Sequence, residues 1–400
     1  MKVNVFLNCE SLNILLGSLT DEAPQLAFQY APDFLKLRIQ PSPLAMPNSS
    51  SYWTSPNALF DGLPGMVADS LPDGWGNLLI DRQLSRMGES LRNVPVLQRL
   101  CWVGKQGMGA LEYEPEEPLT PFEPVNIVLD SLSQDVEAIL AENESSKALD
   151  TLRQLNGSSG GARPKIICLV SADFNHLKRG QIHHEDFSPW LIKFKSSEDS
   201  SDLGVQEYIT SLIAKKAGIT VPATHLFESS HGLGWFGIER FDRTKAGKMH
   251  MMTAAGLVHC DFRAPSLDYE SILAITQNLC SKDELKEQLK RCVFNFAIGN
   301  SDDHAKNFSF LMNAQGHWRI SPMYDAVPGN LNAEHMTSIL GKGRHPNKSD
   351  FIRLGAKFDI DKPSVLQMIE EVCDALSEYK HYAKQYGVKC PKLDLSFKSD

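Results

Sequence analysis

Four prolines fall within the eleven residues 114–124, Glu-Pro-Glu-Glu-Pro-Leu-Thr-Pro-Phe-Glu-Pro. Such a run neither continues a helix nor sits in a central strand. The chain must therefore divide there, and its 400 residues suffice for two to three domains at about 150 residues each. Before the prolines, residues 3–7 alternate like an edge strand and residues 26–30 resemble a second short strand. Residues 41–57, rich in Pro, Ser and Asn, read as loop, and apolar spacing predicts a helix over 75–87.

Beyond the prolines the pattern changes. Residues 125–155 read as helical with a break near 143–146, and 156–164 as a glycine-rich loop. Strands are expected at 165–170, 190–194, 223–227 and 235–239, with a helix over 205–217 ended by Gly218. From 266 onward the expectation is mostly helix: 266–278, 281–298 and 363–386. The fold class is therefore α+β. A β-rich block over 1–113 precedes a sheet with one embedded helix over 125–243 and a helical block over 244–400, with a cleft between the last two.

Forty Lys and Arg stand against 49 Asp and Glu, a net charge of −9, which argues against binding nucleic acid through bulk charge. The eight cysteines are dispersed, with no C-x-x-C pair, so zinc-ribbon and thioredoxin-type motifs are excluded and a reducing compartment is expected. No window holds eighteen consecutive apolar residues, so no membrane association is expected.

The densest chemistry is Asn300-Ser-Asp-Asp-His-Ala-Lys-Asn307, directly after an apolar helical pattern. Asp302 and Asn307 have the D-x-x-x-x-N spacing of a kinase catalytic loop, in which the acid accepts a hydroxyl proton and the amide holds a magnesium ion. Eighteen residues after Asn307, Asp325 could supply a second oxygen ligand. Alone, the 302–307 pair is equally well read as a capped, solvated turn. The loop Gly157-Ser-Ser-Gly-Gly161 could cradle phosphates through backbone N–H groups, although it matches neither Walker A nor G-x-G-x-x-G, and alone it reads better as a flexible connection. Lys193 lies in an apolar strand, with Glu207 on the next helix as its candidate ion-pair partner; an outward-facing lysine is the simpler reading. The segment 238–243, Ile-Glu-Arg-Phe-Asp-Arg, sits where a hinge would meet adenine, or forms a mixed-charge turn. Glycine loop, strand lysine, helix glutamate, hinge, Asp/Asn loop and acid follow the order of kinase chemistry, which joins four individually weak signals into one.

With these motifs the sequence resembles the HipA family of bacterial serine/threonine kinases, the toxins of HipBA-type toxin–antitoxin systems. The resemblance also takes in Phe60-Asp-Gly-Leu-Pro64 and Leu71-Pro-Asp-Gly-Trp-Gly-Asn77. It implies a bilobal protein-kinase-like fold with a β-rich N-terminal subdomain, ATP and Mg²⁺ as cofactors, and transfer of the γ-phosphate to a protein serine. It implies Asp302 as the base and Asn307 and Asp325 as Mg²⁺ ligands, with His304, Lys306 and Tyr324 lining the site. Gly160, Gly161, Ala162, Arg163, Pro164 and Lys165 would cover the nucleotide, Lys193 would meet its phosphates, and Glu239, Arg240 and Phe241 would face adenine. Ser158, with Ser159 as second choice, matches a site of autophosphorylation. The implied partners are a HipB-like helix-turn-helix antitoxin, operator DNA through that antitoxin, and a substrate such as glutamyl-tRNA synthetase or another aminoacyl-tRNA synthetase. The implied location is the bacterial cytoplasm, on the nucleoid when bound to the antitoxin. A catalytically weak kinase-fold regulator acting through a DNA-binding partner, and a small-molecule or lipid kinase, are the alternatives.

Overall fold

The structure, a computed structural model, describes residues 1–21, 25–119, 127–157 and 160–398. The first sheet is antiparallel in the order β4-β3-β2-β1-β5, from β1 (Lys2–Cys9), β2 (Leu12–Thr20), β3 (Ala27–Tyr30), β4 (Trp53–Thr54) and β5 (Leu111–Glu114). Val3, Val5, Leu7 and Cys9 alternate into the core and are fully buried. β1 is not the edge strand its alternation suggested. β2 and β5 flank it, because β2 is a strand the sequence pattern hides. A β-bulge places Gly17 opposite Val5 but Leu15 opposite Phe6, and this breaks the period of two within β2.

The second sheet runs β7-β6-β8-β10-β9, built from β6 (Lys165–Ser171), β7 (Leu177–Lys178), β8 (Phe187–Lys193), β9 (Thr224–Phe227) and β10 (Trp235–Glu239). Every residue of β6 is buried. The helices Leu129–Leu140 and Ser146–Asn156 share a core with β6 and β8, and the helix Leu203–Lys216 packs on β9 and β10. The helix Gly74–Arg86 also enters this core, through Trp75 and Leu79. It comes from the N-terminal third, so the division expected between 113 and 125 is crossed by a helix that packs with the later block.

The third block contains a small sheet absent from the sequence reading: His250–Thr253, Ser309–Met312 and Trp318–Ile320, antiparallel with the middle strand central. Around it lie the helices Tyr269–Leu279, Lys282–Ile298, Lys348–Ala356, Lys362–Ser377 and Tyr379–Gln385. The last two replace the single helix expected over 363–386, and Lys348–Ala356 was not expected. Lys282–Ile298 begins with a reciprocal Ser281–Glu284 capping box and ends at Gly299, delivering the chain directly into 300–307.

The first sheet docks on this third block rather than on its sequence neighbour, and the two share one continuous core. Glu10 N donates to Lys248 O at 2.8 Å, Ala314 N to Glu10 Oε2 at 3.0 Å, and His250 Nε2 lies 2.8 Å from Pro41 O. Asp69 accepts from Thr253 N at 2.7 Å and Thr253 Oγ1 at 2.9 Å. Between the short helices Gly65–Ala68 and Ala254–Val258 the backbones touch: a Cβ on Gly65 would lie 2.2 Å from Gly256 O. No helix of the described residues is long and apolar enough to cross a membrane.

Gly65→Ala should therefore force the two blocks apart. The expected cost is about 1–3 kcal/mol in denaturant unfolding, the usual range for overpacking. Gly232→Ala, whose Cβ would meet nothing nearer than Ser229 Oγ at 3.8 Å, should stay within about 0.5 kcal/mol of the parent.

Candidate active site

Lys193, the last residue of β8, does not face outward. Its Nζ donates to Glu207 Oε1 at 2.5 Å and to Asp325 Oδ1 at 2.6 Å. Three elements thus meet on one ammonium: β8, the helix Leu203–Lys216 and the segment after Trp318–Ile320. Burial works against the charge on Lys193, but Asp325 and Glu207 outweigh it and hold the amine protonated. Lys193 in turn holds the Asp325 carboxyl well below the usual carboxylate range. Burial pushes Glu207 up despite the same lysine. Asp325 has a left-handed backbone (φ 56°) and leaves 35% of its side chain open to the cleft.

The glycine-rich loop lies against this triad. Lys165 is buried and donates to Gly160 O. Its own burial and the charge of Lys193 lower its pKa to about 8. Arg163 pairs with Asp199 at 3.4 Å, and Pro164 O accepts from Phe194 N at 2.9 Å. Arg163, Lys193 and Glu207 line one cavity of about 110 Å³. Ser158 and Ser159 lie outside the described residues.

In the 300–307 loop, the two neighbouring acids have different surroundings. Asp303 is fully buried and its carboxylate accepts from Tyr269 Oη at 2.8 Å and Thr337 N at 3.1 Å, with His335 Nδ1 at 2.9 Å. This carboxylate organises the loop and has no room for a substrate. Asp302 is exposed. Loss of water around its carboxyl still raises its pKa, partly countered by His304 and reinforced by Asp325. Asn307 Nδ2 donates to Asp302 O at 2.7 Å, which leaves the amide oxygen as an acceptor. Tyr324 Oη donates to Lys306 O at 2.5 Å and contacts Ser309 Oγ at 2.6 Å, tying the Asp325 segment to the loop. The His304 ring stands 5.8 Å from Phe262, and its Nδ1 accepts from Lys306 N at 3.3 Å.

The hinge residues behave differently from one another. Glu239 N donates to Ala223 O at 2.9 Å and Arg240 N to Pro189 O at 2.8 Å, so neither N–H is offered to a ligand. The Arg240 guanidinium is buried on Asp242 (2.9 and 2.8 Å), which also binds Arg243 at 2.8 Å. Arg240 therefore belongs to a structural charge cluster, with at most its carbonyl available. Phe241 is half-buried, its ring 5.4 Å from that of Tyr324.

Sequence reasoning missed Asp73. It sits at the N-cap of Gly74–Arg86, but its side chain makes no capping bond, a contact worth about 1 kcal/mol. Instead both carboxylate oxygens accept from Lys306 Nζ, at 2.9 and 2.8 Å. An Asp at a helix start that does not cap is a local rule broken, and such breaks collect at functional sites. The sequence alone shows only the Pro-Asp-Gly turn. A cavity of about 240 Å³ lies beside Asp73 and Lys306, and neither Lys193 nor Asp302 lines it.

Among known proteins, residues 5–114 match the model of the HipA N-terminal domain and residues 157–379 that of the HipA-like C-terminal domain. A protein of Haemophilus influenzae named "Putative kinase" is 26% identical over 286 residues, 62% of this chain and 80% of that protein. Another, Y4dM of Sinorhizobium fredii, is 26% identical over 204 residues, 46% of this chain; the chain spans 50% of that relative's length. A chain of the Shewanella oneidensis MR-1 toxin–antitoxin complex of HipA, HipB and operator DNA superposes with a TM-score of 0.66 at 16% identity. It covers 99% of this chain and 93% of its own, so the fold is shared from end to end.

Replacing Lys193 by Met should leave two carboxylates facing one another. The expected cost at pH 7 is about 3 kcal/mol, the low end for breaking a buried pair, because Asp325 is partly solvated. Glu207 already titrates above its unfolded value, so protonating it relieves the variant: its deficit in urea unfolding should narrow as pH falls from 7 to 5. The parent, whose Lys193 counters the rise at Glu207, gains less over that range. Its Asp325 is depressed and withdraws stability only as pH falls below the unfolded carboxylate value of about 3.9.

Proposed function

The chain belongs to the HipA family, and from that premise we propose that it is an ATP-dependent protein serine kinase acting as a growth-arresting toxin. The observation that carries this reading is the buried Lys193 joined to both Glu207 and Asp325, beside a loop holding Asp302 and Asn307. Phosphoryl transfer asks a protein mainly for positioning and charge stabilisation, and these residues supply both.

In this reading the serine oxygen attacks the γ-phosphorus while the bond to the β–γ bridging oxygen breaks and ADP leaves. The hydroxyl proton passes to the Asp302 carboxylate. Lys193 has three donors; Glu207 and Asp325 take two, leaving one for a phosphate oxygen. Lys165 and the backbone of 160–164 cover the phosphates, and Phe241 and Tyr324 border the base. The donor set fits Mg²⁺: the Asp325 carboxylate and the Asn307 amide oxygen are hard ligands, and the mutual repulsion of Asp302 and Asp325 calls for a cation. No cluster of three or more His, Cys, Asp or Glu among the described residues could hold a metal by itself, so the nucleotide's oxygens would complete the shell. The ion would neutralise charge on the transferred group.

The N-lobe would comprise residues 125–243 and the C-lobe 244–400, with 1–113 as the family's N-terminal subdomain. The partners we propose are a HipB-like helix-turn-helix antitoxin and, through it, operator DNA. A chain of net charge −9 fits DNA affinity supplied by that partner. The substrate class is an aminoacyl-tRNA synthetase, glutamyl-tRNA synthetase first, in the bacterial cytoplasm. Ser158 is the proposed site of self-modification: a phosphate there would repel those of ATP.

Asp302→Asn should lower phosphoryl transfer by about 10²–10⁴-fold, the usual worth of a general base, with unchanged thermal unfolding. Turnover equal to the parent would show that another group takes the proton. Chelating Mg²⁺ with EDTA should abolish transfer by the parent, and full activity in EDTA would remove the metal from the scheme.

A further inference from the structure

The N-terminal third reaches the candidate active site at one turn, residues 72–75. The helix Gly74–Arg86 that follows is fixed in the core of the second sheet by Trp75, which is 1% exposed. Trp75 N donates to Gly161 O at 3.2 Å and Trp75 Nε1 to Lys165 O at 3.2 Å. A Cβ on Gly74 would lie 2.9 Å from Ala162 Cα, so the turn packs directly on this part of the loop. Asp73 Oδ2 stands 3.4 Å from Gly161 N. The same carboxylate takes Lys306 Nζ on both oxygens, and that ammonium also lies 4.2 Å from the centre of the Phe262 ring. The ion pair is largely shielded, with side-chain exposures of 14% for Lys306 and 17% for Asp73.

We propose that Asp73 is a positioning residue that latches the glycine-rich loop to the 302–307 loop, and so sets the spacing between the phosphates and the proton acceptor. The turn moves with the second sheet, because Trp75 is buried in it. Lys306 moves with the third block, because its carbonyl is held by Tyr324 and its segment adjoins the buried Asp303. The Asp73–Lys306 pair is therefore a direct tie between the two walls of the cleft. It is supplied by a domain outside the 157–379 match to the C-terminal family model. Asp73 touches neither Asp302 nor Lys193 and acts through Lys306 and the loop backbone.

The kinetic part of this inference rests on the kinase reading; the coupling itself does not. The test uses the full chain as parent, Asp73→Asn and Asp73→Asn with Lys306→Met. Hydrogen exchange is followed in peptides spanning 160–165 and 302–309, with ATP affinity from calorimetry and turnover where present. For Asp73→Asn the latch predicts faster exchange in both segments together and a turnover at least tenfold lower, with ATP Kd changed less than threefold. Adding Lys306→Met should make exchange in 160–165 no faster, since the tie is already broken. Unchanged exchange in either segment would overturn the latch, whether or not the parent transfers phosphate. A fall in turnover matched by an equal fall in folded fraction, at constant turnover per folded molecule, would reduce Asp73 to a stabilising contact and equally overturn it. A parent without transfer activity but with coupled exchange would retain the latch and count against the kinase reading alone.

Discussion

A single buried ammonium fixes the geometry of the cleft. Lys193 arrives at the end of a strand where water is scarce, and a lone charge there would be intolerable. The chain meets it with one carboxylate from a helix of the sheet block and another from the third block. Burial works against the charge on each of these groups, and the lysine and each acid offset that cost for one another. This mutual compensation holds the sheet, the helix Leu203–Lys216 and the Asp325 segment at one distance. Glu207 is the buried partner, while Asp325 is the one open to the cleft.

The same logic operates a level higher. The N-terminal sheet packs on the third block, while its helix Gly74–Arg86 packs in the second. The N-terminal region therefore spans both sides of the cleft, and contacts at Asp69–Thr253, Gly65–Gly256 and Asp73–Lys306 lie along that span. A kinase-like cleft usually owes its opening to the freedom between lobes. Here a third element limits that freedom.

The α+β class, the strand carrying Lys193, the helix carrying Glu207 and the apolar helix leading into Asn300 were legible in the sequence, because each rests on local period and spacing. β2 was not, since its bulge breaks the alternation on which strand recognition depends. The three-stranded sheet around Ser309–Met312 was not either, because its strands are short and His250–Thr253 joins it across 56 residues or more. Within the site, residue types and order paired Lys193 with Glu207, and the structure joins them in an ion pair. The spacing to Asn307 singled out Asp302, but it could not show that Asp303 is buried on Tyr269, Thr337 and His335. Nor could residue types and order show that the Arg240 side chain turns into a buried cluster, or that Asp73 forgoes its helix. Each of these depends on contacts between residues far apart in sequence, which local patterns do not encode.

Incubating the full chain with Mg²⁺ and ATP labelled either at the γ- or at the α-phosphate tests the central claim most directly, with intact mass recorded beforehand to show that the protein starts unmodified. The account predicts label on protein serine from γ-labelled ATP and none from α-labelled ATP. Incorporation from the α-label would mean that the cleft transfers a nucleotidyl group instead, and no incorporation from either label into unmodified protein or a synthetase substrate would contradict the kinase account.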